Sequence, residues 1–174
     1  NGAEILGPHK NNVFAGGLVG AIEYANNNSE FLNNTILNSS GNKLEIDGYG
    51  SLSQTVNFSN NLLSGNSSGY YLEQGNSGSG QTYIEYSQNN IINNDGFYVK
   101  AGSQNSSLEN NWWGTTNESE IQERILDWYD DASLGFLDYD PWLTEPSTEA
   151  PISPPVNVLK ELSGNDLILT WEAN

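Results

Sequence analysis

NNLLSGNSSGYYLEQG, residues 60–75, carries the pattern on which the chain turns. Two asparagines precede an apolar pair. Glycine, asparagine and serine follow, and then Tyr70-Tyr71-Leu72-Glu73. That last stretch alternates with the period of a half-buried strand, and the residues before it are turn chemistry. A fragment this short buries too little to stand alone, so copies of it are needed on either side.

The chain supplies them. Asn11-Asn12 precede Val13-Phe14, Asn33-Asn34 precede Thr35-Ile36, Asn60-Asn61 precede Leu62-Leu63, Asn89-Asn90 precede Ile91-Ile92, and Asn110-Asn111 precede Trp112-Trp113. The second asparagines (Asn12, Asn34, Asn61, Asn90 and Asn111) lie 22, 27, 29 and 21 residues apart. Self-similarity at a period of about 20–30 residues is the signature of a solenoid. Between the pairs recur Ala21–Tyr24, Leu44–Asp47, Tyr70–Glu73 and Phe97–Lys100. A further short strand leads into each pair, at Glu30–Leu32, Val56–Phe58, Ile84–Tyr86 and Ser107–Glu109. Asparagine tolerates left-handed backbone at bends, and stacked amides donate and accept along a ladder.

The "NNTI" and "NNLL…GYYLEQG" pattern resembles the right-handed parallel β-helix repeats of the pectin-lyase-like superfamily, over roughly residues 5–114. The fold implied is all-β: a right-handed parallel β-helix solenoid over residues 1–143, with coils over 1–114 and an α-helical cap over 115–143. The handedness comes from the resemblance. The family spans lyases, hydrolases, tailspikes and adhesins, so the repeat says little about activity.

Trp112 and Trp113 occupy the slot filled by smaller apolar pairs earlier, which marks them as core or cap. An open solenoid end exposes core and strand edges and needs covering. Burying one tryptophan removes about 150–250 Å² from water, an upper bound of about 4–6 kcal/mol. Asn117 with Glu120 three residues on reads as a helix start. Ile121, Ile125 and Trp128 at helical spacing predict an amphipathic helix over 118–131. Phe136, Tyr139 and Trp142 are expected anchors of an extended segment, and the whole unit resembles the closing segment of secreted bacterial and archaeal β-helix proteins. TEPSTEAPISPP, residues 144–155, has linker composition. Residues 156–174 resemble the first two strands of a fibronectin type III module. That pair is expected to be cut from a larger domain or completed by a neighbour, because a lone hairpin is unstable.

The chain has 174 residues, no cysteine, and 22 acids against 5 bases, a net charge of −17. Disulfides and thiol chemistry are excluded, and so is a nucleic-acid footprint. Insertion into a membrane is not expected, since no apolar run reaches about 18 residues. The chain begins at Asn1 and holds no Met, so a processed piece of something larger is expected.

No catalytic residue is assigned. His9 stands without a Ser or Asp constellation, and the five bases are scattered, which disfavours a polyanion lyase. Glu23, Glu45 and Glu73 recur at matching offsets from the pairs. With Asp47, Tyr71 and Tyr98 beside them, they form a candidate outer face for a neutral glycan, centred on Glu45, Asp47, Tyr71, Glu73 and Tyr98. Asp127, Asp130, Asp131, Asp138 and Asp140 are candidate ligands for a calcium ion, which favours several carboxylate oxygens. Asn34, Asn61, Asn90, Asn111, Trp112, Trp113, Trp128 and Trp142 are read as structural. The expected function is a non-catalytic extracellular or cell-surface module: a stalk, adhesin or filament subunit, with self-association into fibres through the terminal strands. The competing expectation is a carbohydrate-binding or carbohydrate-active module for a neutral glycan.

Overall fold

The computed structural model describes residues 8–15, 22–24, 29–37, 44–49, 54–65, 70–77, 82–152 and 156–172. The chain is all-β with parallel sheets. A first sheet places His9–Lys10, Ser29–Leu32, Gln54–Ser59 and Thr82–Ser87 side by side. A second holds Val13–Ala15, Thr35–Leu37, Leu62–Ser64 and Asn90–Ile92. A third holds Ile22–Tyr24, Leu44–Tyr49, Tyr70–Ser77, Phe97–Lys100 and Ile125–Leu126. The chain visits the three sheets in rotation, and each visit lands beside the previous one in the same direction.

The bend between first and second sheets explains the asparagines. At each bend one residue takes a left-handed backbone: Asn11, Asn33, Asn60, Gln88 and Asn110, with φ of 59°, 55°, 59°, 58° and 60°. Asparagine bears that conformation better than most side chains. The residue after it turns its carboxamide inward. Asn34 donates from both N and Nδ2 to Asn61 Oδ1, at 2.8 and 3.1 Å. Asn61 donates in the same way to Asn89 Oδ1 (2.8 and 3.0 Å) and Asn89 to Asn111 Oδ1 (3.0 and 2.9 Å). Asn12 opens the series on Asn34. Each Nδ2 also donates to a backbone carbonyl of the preceding visit: Asn34 to His9, Asn61 to Phe31 and Asn89 to Phe58, all at 2.9 Å. These amides are fully buried, and burial without partners would be costly.

The fourth rung corrects the sequence alignment. Asn89, not Asn90, stands in the ladder, and its left-handed partner is Gln88. The fixed frame is a core residue, any residue, the left-handed residue and then the ladder asparagine. His9, Phe31, Phe58 and Tyr86 fill its first position in register. Phe31 stacks on Phe58 at 4.9 Å with the rings 6° apart, and Phe58 meets Tyr86 at 5.7 Å. Tyr86 can join that column only if Asn89 takes the rung. Asn90 instead enters the second sheet opposite Leu62 and bridges Trp112. Ile91 and Trp113 then fall in line with Leu63, Ile36 and Phe14, and Trp113 is fully buried.

The end of the stack differs from expectation. Asn117 does cap a helix, its side chain accepting from Ser119 N, but the helix spans only Glu118–Gln122. Ile125–Leu126 form a strand on the third sheet beside Val99 and Lys100, where Tyr98 N donates to Arg124 O and Ala101 N to Leu126 O. Satisfying an open sheet edge outweighs the helical periodicity that Ile121, Ile125 and Trp128 suggest. Ser106–Ser107 pair in parallel with Leu137–Asp138 as a separate two-stranded sheet. Gly135 permits this close approach, since a Cβ there would stand 2.1 Å from the Gln104 carbonyl oxygen. Trp128 and Phe136, read as a buried face and an anchor, are exposed, whereas Tyr139 and Trp142 pack partly buried against the core. Within the stretch read as linker, 144–155, Ser147 meets the second sheet. Ser147 is buried, and its N–H and C=O pair with the Asn90 carboxamide at 2.8 and 3.1 Å. Val156–Ser163 and Asp166–Glu172 form an antiparallel hairpin about Gly164, with its described side chains exposed.

Asn61→Ala leaves the buried Asn34 N–H without its acceptor and interrupts the ladder. We expect a loss of about 2–4 kcal/mol in urea denaturation. Asn60→Gly, one residue away, keeps the left-handed bend and is expected to change stability by less than about 1 kcal/mol.

Candidate functional site

A cavity of about 560 Å³ opens where the short helix meets the Asp127–Asp140 segment. Glu118 and Gln122 reach it from the helix, one turn apart, and Ile125 and Leu137 contribute apolar surface. Tyr129, Phe136 and Tyr139 give it aromatic walls, and Asp130, Asp138 and Asp140 give it charge. Tyr129 packs edge-on to Phe136 at 5.6 Å, and Trp128 packs edge-on to Tyr129 at the same distance. Tyr129 is 76% exposed, so this aromatic run rises out of the surface.

Asp127 holds the segment in shape. It is 4% exposed. Its Oδ1 accepts from Tyr129 N at 2.9 Å and its Oδ2 from Leu137 N at 3.1 Å. Its carbonyl accepts from the N–H groups of Asp130 and Asp131, and its own N–H donates to Asp130 Oδ2. One buried carboxylate therefore ties the turn carrying Tyr129 to the strand carrying Leu137. Tyr139 accepts from Gln122 Nε2 at 2.8 Å. Partial burial, with the Glu118 carboxylate acting the same way, holds its phenol above the ordinary range.

The five aspartates read as calcium ligands meet different fates. Asp127, Asp130, Asp138 and Asp140 line one cavity. Asp131 does not line it and instead accepts from Ser133 N and Oγ, at 2.9 and 2.7 Å. Those bonds place its carboxyl below the ordinary value. Among the described residues no three acids lie close enough together to hold a metal ion. Turn formation explains the spread, because Asp127, Asp131 and Asp138 each accept from a backbone N–H two residues on.

The backbone register relates several residues of the candidate glycan face. Glu45 is the register partner of Glu73, and Glu73 of Lys100. Glu23 pairs with Asp47 rather than with Glu45. The side chains of Glu45, Asp47, Tyr71 and Glu73 fall outside the described ones. Tyr98 departs from the expectation. It is 4% exposed, its hydroxyl accepts from Asn94 N at 3.2 Å, and the Arg124 guanidinium lies 4.9 Å over its ring. The 121–126 segment, laid along the sheet edge, covers it.

No match to this chain is found among protein-family models, curated proteins or solved structures. The reading of the cavity therefore rests on its own geometry. Sequence reasoning passed over Glu118, Gln122 and Tyr129 as site residues. The visible signal was the interleaving of acids and aromatics in DWYDDASLGFLDYD, residues 127–140.

Two outcomes are expected. Asp127→Ala strands the Tyr129 and Leu137 N–H groups and should cost about 2–4 kcal/mol in thermal melts, with Asp127→Asn intermediate. The second concerns Tyr86, whose hydroxyl is buried with no hydrogen-bond partner among the described residues and whose ionisation burial pushes far upward. Below the ordinary tyrosine value of 10.0 this group is neutral in both states and its contribution is pH-independent. Above that value the unfolded chain loses the proton and the folded chain keeps it, so stability falls as pH rises, by about 1.4 kcal/mol per unit. Tyr86→Phe should match or exceed the parent stability at neutral pH and flatten the alkaline limb of a denaturation series run from pH 9 to 12.

Proposed function

We propose that this chain is a right-handed parallel β-helix serving as a non-catalytic structural or adhesive module outside the cell. The observation that supports this most is the asparagine ladder. It joins visits up to 28 residues apart by paired buried bonds in one fixed frame, which favours a stiff shaft over a flexible lid-bearing enzyme. A right-handed course agrees with the strong preference of crossovers between parallel strands of one sheet. At about 4.8 Å per visit the shaft would be roughly 25–30 Å long. Residues 115–152 would close its end, and the hairpin at 156–172 would join it to a partner.

Self-association through that hairpin is part of this reading. Leu162 and Leu167 are cross-strand partners, and with Leu169 and Trp171 they are exposed. Apolar side chains on an isolated hairpin favour pairing with another sheet. The neutral-glycan alternative loses Tyr98 to burial.

Sedimentation velocity and negative-stain imaging of the whole chain over a concentration series test the proposal. The expected result is concentration-dependent end-joined particles that Leu162→Lys with Leu167→Lys abolishes while the melting transition of the shaft stays put. A monomer at every concentration would remove the filament reading. Release of reducing ends from neutral polysaccharides would remove the non-catalytic one.

A further inference from the structure

We propose that the cavity beside the Glu118–Gln122 helix is a binding site for an organic cation carrying primary ammonium groups, of the polyamine class. This inference is independent of the structural role proposed above.

Its basis is a concave, aromatic-walled space rather than charge alone. At about 560 Å³ it falls within the range of small-molecule sites. Tyr129, Phe136 and Tyr139 supply π surface, which attracts ammonium groups. The sign of the ligand follows from the other lining groups. The charged side chains that line the space are acids, and among the described residues no Lys, Arg or His lines it. Arg124, two residues beyond Gln122, donates to the Trp113 carbonyl and covers the Tyr98 ring.

The spacing of the acids selects among cations. Asp127 is occupied by two backbone N–H groups and serves the turn. Glu118, Asp130, Asp138 and Asp140 also line the space, where Asp130 and Asp138 each accept one backbone N–H through a single carboxylate oxygen. A calcium ion needs its oxygens within about 2.3–2.6 Å, and no three acids among the described residues gather that closely. An extended molecule with separated ammonium groups meets dispersed carboxylates one at a time. A neutral sugar would have to desolvate the same carboxylates with no charge returned. The net charge of −17 also raises the local concentration of any cation.

Titration calorimetry of the whole chain with spermidine, at about 20 and 200 mM salt, tests this. Saturable one-site binding is expected, weakening with salt as screening requires. Glu118→Gln with Asp138→Asn should weaken it at least tenfold. Glu145→Gln with Glu149→Gln removes the same charge outside the cavity and should weaken it less than twofold. Tyr129→Ala, which changes no charge at an exposed position, should weaken it severalfold and keeps the test open if the first pair fails to fold. Equal weakening by both acid pairs would mean diffuse attraction and overturn the site. So would an absence of saturable binding, displacement of spermidine by stoichiometric Ca²⁺, or tighter binding of a neutral tetrasaccharide at the cavity.

Discussion

The buried asparagine amide is the constraint from which the rest of the structure follows. Asn34, Asn61 and Asn89 each accept two bonds through Oδ1 from the preceding rung, and each Nδ2 donates to the next rung and to a carbonyl of the preceding visit. An amide so committed cannot be shifted by one residue without leaving several buried polar groups unpaired. The ladder therefore sets the register of the first and second sheets together. It also fixes which residue must adopt the left-handed bend, and which side chains stack as the column from His9 to Tyr86 and the line from Phe14 to Trp113.

That constraint also explains the fate of Asn90. With Asn89 on the rung, Asn90 points into the second sheet at a place where the other visits carry Val13, Thr35, Leu62 and Trp112. A buried carboxamide there needs a partner, and the backbone of Ser147 provides a donor and an acceptor at once. The Ser147 hydroxyl completes the contact by donating to Gln88 Oε1 at 2.9 Å. The two positions where the repeat departs from its pattern, Gln88 and Asn90, are thus the two that hold the 144–152 segment in place. A stretch with linker composition meets the second sheet at Ser147 because the irregular rung gives it a partner.

The far end of the stack shows how edge satisfaction and local propensity compete. Residues 118–131 carry a helical pattern, yet the helix stops after Gln122 because the edge of Phe97–Lys100 offers backbone partners to Ile125 and Leu126. Crossing the end in this way brings the helix, the Asp127 turn and the 136–140 segment around one space. The cavity forms where the chain runs from Ile125–Leu126 on the third sheet to Leu137–Asp138, which pairs with Ser106–Ser107.

The sequence by itself determined the all-β class, the repeat, the strand segments and the asparagine-bearing bends, because each depends on residues close together in the chain. Asn34, Asn61 and Asn111 were legible as rungs, and Trp113 as core, since their neighbours repeat. The rung at Asn89 was one residue off, because three consecutive positions (Gln88, Asn89 and Asn90) all suit a bend and only the Phe58–Tyr86 contact across visits selects among them. For the candidate site, the acids at 127, 130, 138 and 140 stood out, but their grouping with Glu118, Gln122 and Tyr129 did not. Those residues meet through a sheet edge and a turn held by one buried aspartate. The burial of Tyr98 beneath Arg124 was likewise a tertiary outcome, because strand alternation fixes which way a side chain points but not what the next pass of the chain lays over it.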